Sequence, residues 1–366
     1  MAKSLPSRTQ LVGYNHAVAG HDGILCDADG ELLIKPCTST EIDFYETSIA
    51  FYPEFVDLMP RFVGTLSLND QIPNPSIEED VTNLPPQPNQ TSVEESINSL
   101  QPGGSTNKDF DFISELAENP SLQCIANSTS GHRIATDKAV VLENISYGFH
   151  KPNILDVKLG VRLWADDAPE DKRNRFDKIT AESTHKDLGF RIAGMRVWQG
   201  PSSKGEDVDE DGYKIYDKNY GRFCVNKDNV EDAFKSFIFN QGAGLNEELG
   251  KIVLQAFLAD LNRIQSALES HENRMFSASL LFVFEGDGQI LRNAMEEASN
   301  PSRAKEAESD DDDDDEEEDD EAGLKIYAVK LIDFAHAKWT PGNGPDENTL
   351  IGVRSVIKIL NNLATT

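Results

Sequence analysis

The apolar residues of the chain follow two kinds of pattern, separated by two long polar stretches. Continuous or alternating apolar runs predict strands at 31–36, 61–68, 139–142, 189–199, 279–286 and 325–336. Apolar residues three and four positions apart predict helices at 41–51, 229–240 and 247–274, and a last helix that starts near Asn348. Because strands come first, helices later, and strands return near the end, the order predicts an α+β body with two lobes.

The two polar stretches lack the apolar content of a core. Residues 70–131 hold seven of the 17 prolines, and a loop of that length inside a compact domain predicts a disordered insertion. Residues 287–323 are polar and acidic and predict a second disordered loop. We therefore expect an N-terminal lobe over 1–150 and a C-terminal lobe over 151–366, each with one insertion.

The composition narrows the classes of function. The net charge is −30, which argues against a broad basic surface for nucleic acid and requires a local cationic cluster for any anionic ligand. No apolar run is long enough to cross a membrane, and the first ten residues lack the apolar core of a signal peptide. The four cysteines form no CxxC pair, which fits a reducing compartment. We expect a monomer of the nucleus and cytoplasm that makes no direct contact with nucleic acid.

One cluster of cations stands out against this acidic background. Lys172, Arg173, Arg175 and Lys178 lie within seven residues, and in a helix three of them share a face. Lysine and arginine bind phosphates through charge-assisted hydrogen bonds, so the cluster is a candidate polyanion site. A solvated helix face is the alternative explanation.

Two further positions combine charge with apolar surroundings. Asp156 and Lys158 alternate on an extended segment, so both side chains face the same side. Their apolar neighbours argue against a fully exposed ion pair, which is the common alternative. Lys35 ends a predicted strand, where it either reaches a bound phosphate or is simply solvated.

Three motifs give these residues a common context. Pro152 to Gly160 reads PNILDVKLG, Ser279 begins SLL, and Ile332 begins IDFAH. Their order and spacing resemble the inositol polyphosphate kinase family, with its PxxxDxKxG, SSLL and IDF motifs, and most closely the fungal multikinases. The first serine of SSLL is Ala278 here. Further segments that resemble family landmarks are 32–36, 141–144, 189–195 and 220–222.

The resemblance implies a two-lobed kinase-like fold with an ATP cleft between the lobes, and the cofactors ATP and Mg²⁺. It implies catalytic roles for Asp156 and Lys158, with Asp156 either binding the ribose or orienting the attacking hydroxyl. It implies metal ligation by Asp333 and Ser279. The residues implied to bind ATP are Lys35, Glu143, Asn144, Ile145, Asp156 and Asp333. Those implied to bind the substrate, several of them in an inositol-binding segment at 165–188, are Lys158, Lys172, Arg173, Arg175, Lys178, Lys218 and His336.

The implied activity is the phosphorylation of inositol 1,4,5-trisphosphate at its 6- and 3-hydroxyls, to the tetrakis- and then the pentakisphosphate. A sister activity, that of a trisphosphate 3-kinase or a hexakisphosphate kinase, is one alternative. The other is a kinase-derived scaffold or transcriptional cofactor that acts through the twelve consecutive acidic residues from Asp310 to Glu321. That run is either a solvating linker or a docking site for a basic protein partner.

Overall fold

The computed structural model describes residues 11–14, 18, 23–68, 136–203, 207–299 and 325–365. The predicted insertion at 70–131 and the acidic run at 310–321 lie outside these residues. Within the described residues, the strands form two five-stranded antiparallel sheets and one two-stranded ribbon. In the same part of the chain, no helix is long and apolar enough to span a membrane.

The first sheet contains strands from the N-terminal part of the chain, in the order β1-β2-β3-β5-β4. They are β1 (Val12–Gly13), β2 (Leu25–Cys26), β3 (Leu32–Pro36), β4 (Phe62–Ser67) and β5 (Lys138–Glu143). In β3, Leu32 and Ile34 are buried in a small cluster on one face. Alternation along the strand therefore turns Lys35 toward the other face.

Two helices follow β3, α1 (Ser39–Phe51) and the short α2 (Pro53–Val56). Thr38 precedes α1, and its hydroxyl accepts a hydrogen bond from the Glu41 amide at 3.3 Å. A threonine at this position satisfies an amide that has no partner within the helix, which fixes where α1 begins.

The second sheet has the order β11-β10-β6-β7-β8. Its strands are β6 (Pro152–Leu159), β7 (Phe190–Trp198), β8 (Tyr213–Tyr216), β10 (Ser279–Glu285) and β11 (Tyr327–Ile332). The ribbon pairs β9 (Asn273–Met275) with β12 (Ala337–Trp339). The central strands β6 and β10 are buried along most of their length, as continuous apolar runs predict.

Helices follow or separate these strands. They are α3 (Glu170–Ala181), α4 (His185–Leu188), α5 (Val230–Ile238), α6 (Glu247–Ser270), α7 (Gly288–Ser299) and α8 (Glu347–Thr365), and a π turn spans Tyr220–Cys224. The helix α8 packs against α6 and β7. Fully buried side chains of α6, such as Leu254, Phe257 and Leu261, join the main core with those of the second sheet.

The predicted strands and helices are confirmed, with ends that shift by a few residues. The expectation of a disordered loop over 287–323 is wrong at its start, because Gly288–Ser299 is the helix α7. Leu291 and Ala294 are buried there, which gives the helix an apolar side to pack. Residues 300–324 of that loop lie outside the described residues.

Candidate active site

A cleft with a volume of about 920 Å³, its open mouth included, lies between the two sheets. Its lining is mostly apolar at one end, with Ile24, Leu142, Ile154 and Val283 from both sheets. Polar side chains gather at the other end, namely Lys35, Asp156 and Asp333. An apolar slot beside a few convergent charged groups is the usual form of a small-molecule site.

Asp333 joins two lysines from different lobes. It follows the last residue of β11 and has a φ of 69°, a left-handed conformation that aspartate tolerates better than most residues. Lys35 lies 2.9 Å from one carboxylate oxygen and Lys158 lies 3.0 Å from the other. Burial alone would raise the pKa of Asp333, but the attraction and hydrogen bonds of Lys35 and Lys158 outweigh it. The pKa of Asp333 therefore lies well below its usual range, and the carboxylate stays charged.

Glu41 is a site residue that the sequence analysis missed. Its carboxylate, 1% exposed, accepts a hydrogen bond from Lys35 at 2.7 Å and one from the Phe334 amide at 3.3 Å. Burial acts to lower the pKa of Lys35, but Asp333 and Glu41 raise it well above its usual value. The available signal was a glutamate on the side of α1 that also carries the buried Phe44 and Tyr45.

Asp156 and Ser279 contribute buried oxygen atoms to the site. The Oδ1 atom of Asp156 and the hydroxyl of Ser279 are buried, and the two side chains lie close enough to interact with each other. Burial raises the pKa of Asp156, against the lowering effects of Lys158 and of the Ser279 hydroxyl. Buried polar atoms that the protein satisfies poorly are costly, so these oxygens are available to a ligand or an ion.

Lys158 stands in a row of side chains across three strands. Ser279 of β10 and Arg191 of β7 are its cross-strand partners on either side. The Lys158 ammonium also donates to the Ser277 carbonyl at 2.9 Å. Arg191, which sequence reasoning also missed, is half-buried and interacts electrostatically with Asp156. Its position two residues into the predicted strand at 189–199 was the only signal for it.

The cationic cluster of the sequence analysis is split by the structure. It lies on α3, where the Lys172 ammonium is 3.0 Å from Nε2 of His336. Arg175 and Lys178 are on the exposed side of the same helix. Arg173 turns back toward the preceding loop and donates to the Ala168 carbonyl at 2.6 Å. The structure thus brings Lys172 and His336 together and leaves the other three cations on the helix surface or its leading loop.

Lys218 lies at the edge of this region. It is exposed, and its carbonyl oxygen accepts a hydrogen bond from Arg191 at 3.0 Å. Its position as a substrate-binding residue stays a prediction.

Glu143, Asn144 and Ile145 line the apolar end of the cleft, where β5 leaves the first sheet. The Glu143 carboxylate is 3.2 Å from the Lys325 ammonium, and Asn144 donates to the Gly30 carbonyl at 2.7 Å. Both side chains therefore hold the chain in place. Within the described residues the Ile145 amide has no hydrogen-bond partner, which leaves its N–H available to a ligand.

The donor set suits a magnesium ion held partly by a nucleotide. No group of three or more histidine, cysteine, aspartate or glutamate side chains in the described ranges could hold a metal by itself. Mg²⁺ is usually bound by one or two carboxylates together with substrate phosphates and water. Asp333, with the buried hydroxyl of Ser279 nearby in the sheet, fits that pattern.

Comparisons with known proteins agree with this geometry. A model of the inositol polyphosphate kinase family matches residues 139–361. The inositol polyphosphate multikinase of Saccharomyces cerevisiae is 31% identical over 94% of this chain and 96% of its own length. The multikinase of Schizosaccharomyces pombe is 30% identical over 93% of this chain and 92% of its own length.

A solved structure shows the same fold. The crystal structure of an inositol phosphate multikinase from Saccharomyces cerevisiae, in complex with ADP and Mn²⁺, aligns with a TM-score of 0.55 at 26% identity. The alignment covers 91% of this chain and 99% of that one. The expected kinase-like α+β fold is confirmed, and the chain belongs to the inositol polyphosphate kinase family.

Proposed function

We propose that the protein is an ATP-dependent inositol polyphosphate multikinase. It converts inositol 1,4,5-trisphosphate to the tetrakis- and then the pentakisphosphate by phosphorylating the 6- and 3-hydroxyls. The observation that carries the proposal is the pair of ammonium groups about Asp333. Lys35 and Lys158 lie 2.9 and 3.0 Å from its two oxygens, at the polar end of an apolar cleft. Phosphoryl transfer depends on positioning and charge stabilisation, and such a triad supplies both.

The apolar end of the cleft accepts the adenine ring in this proposal. The ring lies between apolar side chains of the two sheets, and the Ile145 amide donates to its edge. Lys35 then reaches the phosphates from β3. Glu41 holds the Lys35 ammonium in place, since its own carboxylate is fixed by the Phe334 amide. The same lysine–glutamate arrangement orders nucleotide phosphates in protein kinases.

Asp333 and Ser279 are the residues that would hold Mg²⁺. When bound, the ion neutralises charge on the transferring phosphate and its leaving group. The low pKa of Asp333 keeps its carboxylate available as an anionic ligand throughout the neutral range. The two lysines then balance the negative charge that the nucleotide brings.

Asp156 lies on the nucleotide side of the site, and Lys158 lies on the acceptor side. Asp156 lines the cleft with the residues around Glu143, whereas Lys158 is not part of that lining. We therefore assign Asp156 to a ribose hydroxyl, and Lys158 with Arg191 to the acceptor and the phosphate in transfer. Lys172 and His336 lie together at the acceptor side and bind a phosphate of the inositol ring.

The test is a product analysis. The purified chain is incubated with inositol 1,4,5-trisphosphate, ATP and Mg²⁺, products are separated by anion-exchange chromatography, and their phosphate positions are assigned by NMR. We expect a tetrakisphosphate followed by a pentakisphosphate. A tetrakisphosphate alone, carrying the new phosphate at position 3, would identify a 3-kinase instead. Lys158→Met should abolish turnover, while Lys214→Met, at a partly exposed lysine on β8 that pairs with Asp207, serves as the matched control.

We further propose that the protein acts in the nucleus and cytoplasm and binds a basic protein through the run from Asp310 to Glu321. The support is its acidic composition and the charge of that run. Imaging of a fluorescent fusion tests the first part. Salt-dependent binding of a lysine-rich peptide, lost when 303–322 is deleted, tests the second.

A further inference from the structure

Three cations follow one another along one side of the acceptor region. Lys158 and Arg191 face each other across β6 and β7. Arg222, in the π turn that follows β8, continues the line and interacts electrostatically with Arg191. We call Lys158, Arg191 and Arg222 the cation row.

The position of Arg222 is fixed by its neighbour in the sequence. A side chain at Gly221 would collide with the carbonyl oxygen of Ile192 in β7, so the π turn lies directly on that strand. This close approach places Arg222 beside Arg191. The Nε atoms of both arginines are buried and make no hydrogen bond within the described residues.

A carboxylate already occupies one end of the row. Glu182 directly follows α3, the helix that carries Lys172, and its Oε2 atom lies 2.6 Å from Nη2 of Arg222. Its other oxygen, Oε1, lies 3.7 Å from the Lys178 ammonium one turn earlier. Both partners of the Arg222 contact keep some exposure to solvent, 38% for Glu182 and 28% for Arg222. A polyanionic ligand can therefore compete for Arg222, but it has to displace or approach a negative charge to do so.

We propose that Glu182 is a specificity-determining residue, whose carboxylate masks Arg222 and weakens binding of inositol hexakisphosphate relative to the substrates, which carry fewer phosphates. This inference rests on the proposed function. Discrimination between related ligands often depends on a repulsive element as well as an attractive one. A ligand whose phosphates reach only Lys158, Lys172 and Arg191 does not meet Glu182. A more highly phosphorylated ring places a phosphate at Arg222 and meets the carboxylate.

The alternative is that the Glu182–Arg222 pair only ties α3 to the π turn. Exposed ion pairs of this kind contribute little to stability. The two explanations differ in their effect on ligands, because a purely structural pair changes the binding of all inositol phosphates alike.

The experiment compares Glu182→Gln with the wild type by isothermal titration with inositol hexakisphosphate and inositol 1,4,5-trisphosphate, at constant ionic strength. We expect the hexakisphosphate to bind about threefold to fivefold more tightly to the variant, the size of one partly exposed charge interaction. The trisphosphate should change by less than about twofold, since it does not reach Arg222. Glu269→Gln is the matched control, because Glu269 pairs with Arg354 at 2.9 Å on another surface.

A double variant tests whether Arg222 is the cation that Glu182 masks. In Glu182→Gln combined with Arg222→Gln, the gain for the hexakisphosphate should disappear, because the unmasked cation is gone. Equal changes for both ligands, no change beyond the Glu269→Gln control, or a gain that persists in the double variant would each overturn the inference. Turnover of the trisphosphate by the wild type is measured in parallel. Its absence would refute the proposed function itself, whereas unchanged discrimination in an active enzyme refutes only the role of Glu182.

Discussion

His185 should make the stability of the fold sensitive to mild acid. It begins α4, is fully buried, and its Nδ1 atom lies 2.7 Å from the carbonyl oxygen of Gly160, the residue that ends the PxxxDxKxG motif. Burial, and then the nearby Arg191, lower the pKa of His185 to about 3, although the bond to Gly160 acts in the opposite direction. The Nε2 atom has no hydrogen-bond partner within the described residues, so a proton added there would be a buried, unpaired charge.

The size of the effect follows from the two pKa values. In the unfolded chain the pKa is the ordinary 6.5, so the unfolded state takes up a proton below that pH and the folded state does not. The contribution of neutral His185 to the free energy of unfolding is therefore fully present above about pH 6.5, and it is lost as the pH falls toward 3. Between pH 8 and pH 5 the free energy of unfolding falls by about 2 kcal/mol, because each pH unit below 6.5 lowers it by about 1.36 kcal/mol.

The assay is urea unfolding at pH 8 and pH 5, for the wild type and His185→Asn. The asparagine amide can still donate to the Gly160 carbonyl, but it does not titrate. The wild type should lose about 2 kcal/mol more than the variant between the two pH values. His150→Asn, at an exposed histidine, is the control and should follow the wild type. Parallel pH dependence in the wild type and His185→Asn would refute the reasoning.

Three further variants test the site. Glu41→Gln should raise the KM for ATP and lower kcat about tenfold or more, because Lys35 loses a fixed charged partner; steady-state kinetics with kcat and KM both unchanged would contradict this. Asp333→Asn should abolish most activity at every Mg²⁺ concentration, since an amide oxygen is a poorer ligand for a hard cation. A variant that matches the wild type at saturating Mg²⁺ would remove Asp333 from the metal site. Lys172→Glu should raise the KM for the trisphosphate far more than Arg175→Glu does, since Lys172 lies 3.0 Å from His336 and Arg175 is exposed. Equal effects would mean that the exposed side of α3 binds the substrate.

The apolar pattern predicted the central strands well and the short ones poorly. Strands β6 and β10 are buried on both faces. In the sequence β10 is therefore a continuous apolar run, and β6 is a motif whose charged residues have apolar neighbours. The ribbon strands β9 and β12 have three residues each, too few to show a period, and both contain charged side chains. They form because the core beneath them, including Met275 and Ala337, buries one side of each strand.

The sequence likewise predicted some of the site residues and missed others. Lys35, Lys158 and Asp333 lie in recognisable motifs, and the structure brings all three together. Glu41 was missed because the Phe334 amide that donates to its carboxylate is 293 residues away in the sequence, and no local pattern reports such a contact. Burial of a carboxylate on an apolar helix face is visible only once Lys35 is placed against it.

Arg191 was missed for a reason that lies in the register of the second sheet. Asp156 pairs with Gly194, but the next residue of β6, Val157, pairs with Ile192, so β7 contains one extra residue at this point. Without this bulge Lys158 would face Ile192, and Arg191 would lie on the opposite face of the sheet. The bulge therefore creates the pairing of Lys158 with Arg191 and starts the cation row that Arg222 extends. Strict alternation along the sequence cannot predict a bulge, because one inserted residue reverses the face of every side chain on one side of it. The cationic acceptor side of the site thus depends on an irregularity in β7, whereas the nucleotide side depends on regular strands that the sequence pattern shows.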